Sequence, residues 1–143
     1  MIPAFTKKNG DNLNNQFIKY ESEAKGGILM NFDWIKTRSD FDDDKPAVID
    51  HAKQTSWTYQ QLNARADNMA HYLTSQGVKK GDVIGIFAPN DIAILDLLFA
   101  CFKTGAVFLP LNWRLNPKEI AAIVEDAQLK LLFYAEKHLR SEE

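Results

Sequence analysis

The sequence predicts an α/β fold with three layers, in which a mostly parallel β-sheet lies between helices on both of its faces. The apolar run Val83–Ala88 shows no polar alternation, as is typical of a strand buried on both sides. Ile92–Phe102 predicts an apolar helix that ends at Gly105. A second apolar run, Ala106–Leu109, follows at once. Strand, helix and strand within about thirty residues form a βαβ unit, whose crossover is almost always right-handed.

Further elements are predicted on both sides of this unit. Thr58 and Gln61 form a capping-box pattern at the start of one helix, and Asn116 and Glu119 form another. Pro110 is expected to end the second strand of the unit. A short helix is expected around Phe32, Trp34 and Ile35, and Ile120, Ile123, Val124 and Ala127 are expected to form a buried stripe. The main remaining elements are helices near Tyr59–Gln76 and Pro117–Ala127 and strands near Ala47–Ile49 and Leu131–Tyr134, with the strands mainly parallel.

Chain length and net charge limit the classes of function that this protein can have. The chain has 143 residues, which predicts one main domain, and its net charge of -2 argues against a nucleic acid or an anionic membrane as the principal partner. No apolar run reaches the roughly eighteen residues that a membrane span needs. The N-terminus lacks the apolar core of a signal peptide, so we expect a cytoplasmic protein.

The first 29 residues differ from the rest. They are polar and rich in turn-forming residues, which predicts a disordered leader, and the domain is expected to occupy residues 30–143. Lys25, Gly26 and Gly27 are also what a purine-rich ribosome-binding site would encode, and they lie just before Met30. One hypothesis is therefore that the natural protein starts at Met30, which the codons of the two glycines would test.

No residue is predicted to be catalytic or to bind a metal. Cys101 is the one cysteine and lies in the apolar helix, so it is expected to pack in the core rather than act as a nucleophile. The acidic stretch Asp40–Asp44 is expected to be a solvated turn, because consecutive carboxylates point in different directions and nothing nearby completes a ligand set. His71 has no partner at ligand spacing and is expected to be structural or at the surface.

Five short segments resemble, in order and spacing, the motifs of one enzyme family. With the family pattern after each, they are Asp44–Ile49 (D-K-P-A-x-I), Trp57–Leu62 (T-Y-x-E-L, with Gln61 in place of glutamate), Gly77–Val83 (G-V-x-x-G-D-x-V), Lys103–Val107 (K-x-G-A-V) and Pro110–Leu115 (P-L-N-x-R-L). The family is the AMP-forming acyl-CoA synthetases, within the adenylate-forming enzymes. The resemblance covers Asn31–Tyr134.

The resemblance implies a two-step ligase of the kind found in fatty acid metabolism. A carboxylic acid attacks ATP to give an acyl-adenylate, and the thiol of CoA then displaces AMP, with Mg²⁺ neutralising phosphate charge. The parent enzyme would thus use a carboxylic acid, ATP, Mg²⁺ and CoA. Asn112 favours a CoA ligase, because peptide-synthetase adenylation domains more often have aspartate there.

The family's catalytic motifs are absent from this sequence. Its Ser/Thr/Gly-rich phosphate loop, adenine-binding segment, ribose-binding aspartate and C-terminal lysine all lie further downstream than this chain reaches. The resemblance therefore implies an N-terminal fragment that carries no catalytic residue and holds no cofactor by itself. Two alternatives stay open: a stand-alone binding or scaffold module that reuses the fold, and a fragment of a peptide-synthetase adenylation domain.

Arg114 is the one candidate site residue. It follows the carboxyl end of a central strand, where open α/β sheets bind ligands, and arginine can hold a phosphate in bidentate fashion. The resemblance implies a contact with a CoA phosphate. The alternative is a surface arginine that braces the turn against Asp126 or Glu119.

The isolated chain is expected to form a homo-oligomer. Asp96 is the one polar residue inside the helix Ile92–Phe102, and a helix that is apolar all round needs cover on every side. Without the later segments of the family fold, part of this helix and at least one strand edge are expected to be exposed, and a symmetric dimer would bury them.

Overall fold

The structure is a computed structural model that describes residues 33–135. The predicted leader (residues 1–29) and Met30 lie outside the described residues. Four helices and five strands follow one another in the described part of the chain: α1 (Trp34–Phe41), β1 (Pro46–Asp50), β2 (Thr55–Thr58), α2 (Tyr59–Ser75), β3 (Val83–Phe87), α3 (Ile92–Thr104), β4 (Val107–Leu111), α4 (Pro117–Asp126) and β5 (Leu131–Tyr134). None of the described helices is both long enough and apolar enough to span a membrane.

The central sheet is parallel, as predicted. Its described strands lie in the order β4-β3-β5, and β3 pairs in parallel with both neighbours. β3 is buried along Ile84–Phe87 because it is covered on both edges and by helices. The apolar run without alternation therefore identified the middle strand correctly.

Helices α3 and α4 lie on opposite faces of this sheet. The chain moves from β3 to β4 through α3 and then back across β3 to β5 through α4, and right-handed crossovers in opposite directions require opposite faces. The contacts agree: Ile84 and Ile86 pack with α2 and α3, whereas the intervening Gly85 faces Leu129, just after α4. A Cβ atom on Gly85 would lie 2.1 Å from Leu129 Cδ2, so Leu129 can pack here only because Gly85 has no side chain.

The prediction that Ala47–Ile49 joins the parallel sheet is wrong. This segment belongs to β1, which pairs antiparallel with β2 in a separate two-stranded sheet. Only residues 51–54 connect the two strands, and so short a connection allows a hairpin but no parallel crossover. β2 was not predicted as a strand, because the sequence indicated only that a turn leads into this segment.

Pro110 does not end the second strand of the βαβ unit. β4 continues through Pro110 to Leu111, with Ile86 opposite Pro110. β4 is an edge strand of the described sheet, and proline is tolerated at an edge, where its missing N–H is not needed by a neighbour.

Helices α2 and α3 form the main core with one face of the sheet. The fully or nearly fully buried side chains of this core are Leu73, Val78, Ile84, Ile86, Leu97, Ala100, Cys101 and Phe133. A smaller core joins α1 to α2 through Ile35, Leu62 and Ala66. α1 confirms the short helix expected around Trp34 and Ile35.

On the other face, α4 is less buried than predicted. Its capping box is present, with Asn116 Oδ1 accepting the Glu119 amide at 3.0 Å and Glu119 accepting the Asn116 amide. Yet none of its residues is fully buried, and Ile120, Ile123, Val124 and Ala127 are only half-buried. The predicted stripe is therefore buried less than expected, because α4 has few close neighbours among residues 33–135.

Candidate functional site

The candidate site lies at the carboxyl edge of the parallel sheet. β3 ends at Phe87 and β4 at Leu111, and these two residues are register partners. The loops that follow, residues 88–91 and 112–116, therefore leave the sheet at the same edge. That edge is where open α/β sheets bind ligands.

Arg114 lies in the second of these loops and is exposed. The loop is a tight turn: the Arg114 amide donates to Asn112 Oδ1 at 3.1 Å, and the Leu115 amide donates to the Asn112 carbonyl at 3.0 Å. The guanidinium carbon lies 5.0 Å from the centre of the Trp113 ring, in cation–π range. Asn112 thus fixes the backbone, and the charged end of Arg114 stays accessible to solvent.

The alternative, in which Arg114 braces the turn against Asp126 or Glu119, is not supported by the contacts of the described residues. Glu119 is engaged in the capping box of α4, where its Oε2 accepts the Asn116 amide at 2.9 Å. Between residues 33 and 135 no salt bridge joins Arg114 to Glu119 or to Asp126. The contact of Arg114 with a CoA phosphate stays a prediction.

Asp91 occupies the start of α3 at the same edge. Its Oδ1 accepts the Ala93 amide at 3.0 Å, which caps the helix, and its Oδ2 lies 2.6 Å from Lys53 Nζ in the β1–β2 turn. The hydrogen bond from Lys53, followed by that from the Ala93 amide, lowers the pKa of Asp91. The helix N-terminus is therefore already filled by an ionised carboxylate, and the pair fastens the β1–β2 hairpin to the sheet edge.

Among residues 33–135, the structure shows neither a reactive thiolate nor a cluster of metal-ligating side chains. Cys101 is fully buried, and desolvation raises the pKa of its thiol to about 12, so a thiolate is not available near neutral pH. Residues 33–135 contain no group of three or more His, Cys, Asp or Glu side chains placed to hold a metal ion. His71 lies exposed on α2.

Two partly buried ionic contacts were not predicted from the sequence. Asp96 on α3 is 5% exposed and receives two hydrogen bonds from Arg65 on α2, Nε to Oδ1 at 2.8 Å and Nη2 to Oδ2 at 2.5 Å. The hydrogen bond to Asp96 is the main cause that raises the pKa of Arg65. The sequence could have predicted a cationic partner for Asp96, because a single carboxylate inside an apolar helix needs one if it is buried.

The second contact is made by Lys103 of the K-x-G-A-V segment, which links α3 to α1 and α2. Its side chain is 9% exposed, and its ammonium lies 2.6 Å from Asp33 Oδ2, 2.8 Å from Asn63 Oδ1 and 2.9 Å from Asp67 Oδ1. These partners come from the start of α1 and from α2. The motif lysine thus ties three helices together on the side of the sheet away from α4.

Comparison with known proteins gives the same family as the sequence motifs. The family model described as AMP-binding enzyme matches residues 36–143. The feruloyl-CoA synthase of an Amycolatopsis species is 38% identical over 84 residues, which are 59% of this chain and 17% of that protein. The long-chain-fatty-acid–CoA ligase FadD13 of Mycobacterium tuberculosis is 31% identical over 107 residues, or 74% of this chain and 21% of the ligase.

The fold agrees with a solved structure of the same kind. A Mycobacterium tuberculosis fatty acyl CoA synthetase superposes with a TM-score of 0.72 at 30% identity, over 76% of this chain and 22% of that protein. The chain thus spans about a fifth of the length of the relatives it matches. It belongs to the AMP-binding enzyme family and corresponds to an N-terminal portion of the AMP-forming acyl-CoA synthetases.

Proposed function

We propose that this chain is the N-terminal part of a ligase that joins a carboxylic acid to CoA at the expense of ATP. The observation that carries the proposal is the family match over residues 36–143, together with the parallel sheet whose carboxyl edge is presented by the loops after β3 and β4. The acyl-CoA ligases among the relatives support CoA as the acceptor.

The proposed reaction has two steps. A carboxylate oxygen attacks the α-phosphorus of ATP, pyrophosphate leaves, and the product is an acyl-adenylate. The CoA thiol then attacks the acyl carbon, the thioester forms, and AMP leaves. Mg²⁺ would neutralise charge on the phosphates during the first step. In this scheme the described chain supplies the rigid sheet edge and, at that edge, the exposed guanidinium of Arg114.

Arg114 is the residue that we propose to contact a phosphate of CoA. A bidentate guanidinium–phosphate contact adds affinity without taking part in bond breaking. Arg114→Ala, made in an enzyme completed with the remaining part of the domain, should raise the Michaelis constant for CoA several-fold and leave that for ATP unchanged. Arg114→Lys should restore part of the affinity. An unchanged constant for CoA removes Arg114 from the site.

The chain by itself is proposed to be inactive. Losing one oxyanion donor typically costs about 3–4 kcal/mol of transition-state stabilisation, and the phosphate-binding motifs of the family lie outside this sequence altogether. The test is carboxylate-dependent exchange of labelled pyrophosphate into ATP by the purified chain. Exchange above a blank without protein would contradict this part of the proposal.

The isolated chain is also proposed to self-associate. Phe102, near the end of α3, is 44% exposed, and Val107 of β4 is 49% exposed. Leaving a large apolar side chain in water costs about 1.5–3 kcal/mol, so contact between copies would be favourable. Light scattering at several protein concentrations should show a mass above that of the monomer. A monomeric mass up to high micromolar concentration would exclude self-association.

A further inference from the structure

Each arginine in the described part of the chain holds its guanidinium over an aromatic ring. The distances from the guanidinium carbon to the ring centre are 5.2 Å for Arg38 over Tyr59, 5.8 Å for Arg65 over Trp57 and 5.0 Å for Arg114 over Trp113. All three distances lie within the range of a cation–π interaction, which draws the cation to the face of the ring. The three arginines can therefore be compared by what else each of them contacts.

Two of these arginines also have a carboxylate partner. Arg38 Nη2 lies 2.8 Å from Asp42 Oδ2, and Arg65 Nη2 lies 2.5 Å from Asp96 Oδ2. For Arg114, no salt bridge to a carboxylate is present within the described range 33–135. Its guanidinium is thus held by a ring, but its charge is not matched there by a carboxylate. An anion from outside the described part of the chain could supply that match.

The turn also fixes the other end of the Arg114 side chain, at the backbone. The Arg114 amide donates to Asn112 Oδ1 at 3.1 Å, which holds the residue in place just after β4. The Trp113 ring then restrains the guanidinium at the far end of the side chain. A side chain that is already ordered gives up less conformational freedom when it binds a ligand. The arrangement therefore favours binding by preorganisation.

We infer that Trp113 is a positioning residue for Arg114, and that Asn112, Trp113 and Arg114 form a preassembled receptor for a phosphate group of CoA. The inference rests on the proposed function for the identity of the ligand. The guanidinium makes the contact with the phosphate, and Trp113 acts through it. The family pattern P-L-N-x-R-L leaves the position of Trp113 open, so the tryptophan adds to the motif a feature of this chain.

The test is NMR spectroscopy of the purified, isotope-labelled 143-residue chain, in which the arginine Nε–Hε signals are followed during titration with CoA. We expect CoA to shift the Arg114 signal saturably. Pantetheine, the part of CoA that carries no phosphate, should not shift it. The Arg38 signal is the internal control, because Arg38 is also exposed and lies over a ring but is paired with Asp42. It should stay in place.

Three outcomes of this titration overturn the inference. The first is an Arg114 signal that CoA does not shift. The second is an equal shift of the Arg38 and Arg114 signals, which would mean that CoA binds arginines without selection. The third is a lower dissociation constant for ATP than for CoA, which would remove CoA as the source of the phosphate.

The role of Trp113 is tested by two substitutions. Trp113→Leu should raise the dissociation constant for CoA at least threefold and lower the heteronuclear NOE of Arg114 Nε, because the guanidinium loses its ring. Trp113→Phe, which keeps an aromatic ring, should stay within twofold of the unaltered chain. The backbone NOE values of Arg114 and Leu115 should not change in either variant. Loss of CoA binding together with loss of backbone order would show a merely structural role and overturn the inference, as would unchanged binding in Trp113→Leu.

The ligase reaction is measured separately, in the completed enzyme. If the chain binds CoA as expected but the completed enzyme forms no acyl-CoA, the receptor stands and the ligase is contradicted. If the completed enzyme is active but the chain with Trp113→Leu binds CoA as tightly as the unaltered chain, the ligase stands and the positioning role of Trp113 is overturned.

Discussion

Helices α2 and α4 start with the same type of N-terminal cap but are buried to different degrees. Each starts with a capping box, built by Thr58 and Gln61 in α2 and by Asn116 and Glu119 in α4. α2 buries Leu62, Ala66 and Leu73 between α1, α3 and the sheet, whereas α4 buries no residue completely. A cap thus fixes where a helix starts, and only the neighbours in space decide how much that helix contributes to stability.

The largest difference between the two helices should appear when one apolar side chain is shortened in each. Leu73→Ala in α2 removes a side chain that is 0% exposed and should lower the free energy of unfolding by about 2–5 kcal/mol. Ile123→Ala in α4 removes a half-buried one and should cost about 1 kcal/mol. Urea unfolding followed by circular dichroism measures both. Equal losses would mean that α4 is covered as well as α2.

The next largest effect is expected from breaking the ionic contact between α2 and α3. Arg65→Ala leaves Asp96 buried without its cation and should cost about 3 kcal/mol, the low end for a broken buried pair because Arg65 is itself partly exposed. The double variant Arg65→Met with Asp96→Leu should recover most of this loss, since it removes the stranded charge. A double variant no more stable than Arg65→Ala would contradict a cost that arises from the unpaired carboxylate.

The caps themselves should be worth the same in both helices. Thr58→Ala and Asn116→Ala each remove the acceptor of first-turn amides, Gln61 in α2 and Lys118 and Glu119 in α4. Each should cost about 1 kcal/mol in the free energy of unfolding, regardless of how deeply its helix is buried. Thr58→Ser and Asn116→Asp, which keep an acceptor, are the controls. A loss several times larger for α2 would show that the cap depends on burial after all.

The smallest expected effect concerns the ion pair that joins the starts of β3 and β5. Lys130 Nζ lies 2.6 Å from Asp82 Oδ2, and this hydrogen bond, followed by that from the Lys79 amide, lowers the pKa of Asp82. A lowered carboxyl pKa stabilises the fold above the unfolded-state value of about 4, and the contribution is lost as the pH falls through the folded-state pKa.

Asp82→Asn should therefore lower the urea midpoint slightly at pH 7, and the difference from the unaltered chain should shrink as the pH falls below the unfolded-state pKa of about 4. A difference that stays constant as the pH falls below about 4 would mean that the pair does not act through the charge of Asp82.

The sequence by itself determined the elements whose signals are local. Periodicity, caps and the helix-ending glycines gave α2, α3 and α4 to within a few residues, and the unbroken apolar run gave β3 as the middle strand. The motif order gave the family, which the comparisons confirm. For the candidate site, the sequence placed Arg114 at the carboxyl edge, since a residue just after a parallel strand must lie there.

The tertiary structure alone decided what depends on residues that are far apart in the chain. The partner of β1 is a neighbouring strand in a hairpin rather than the parallel sheet, and Pro110 lies inside β4 because no described strand needs its N–H. Asp96 is held by Arg65, 31 residues away, and Lys103 by Asp33, 70 residues away. Local patterns register only neighbours within a turn or a strand, whereas burial and ion pairing are set by which surfaces meet after folding.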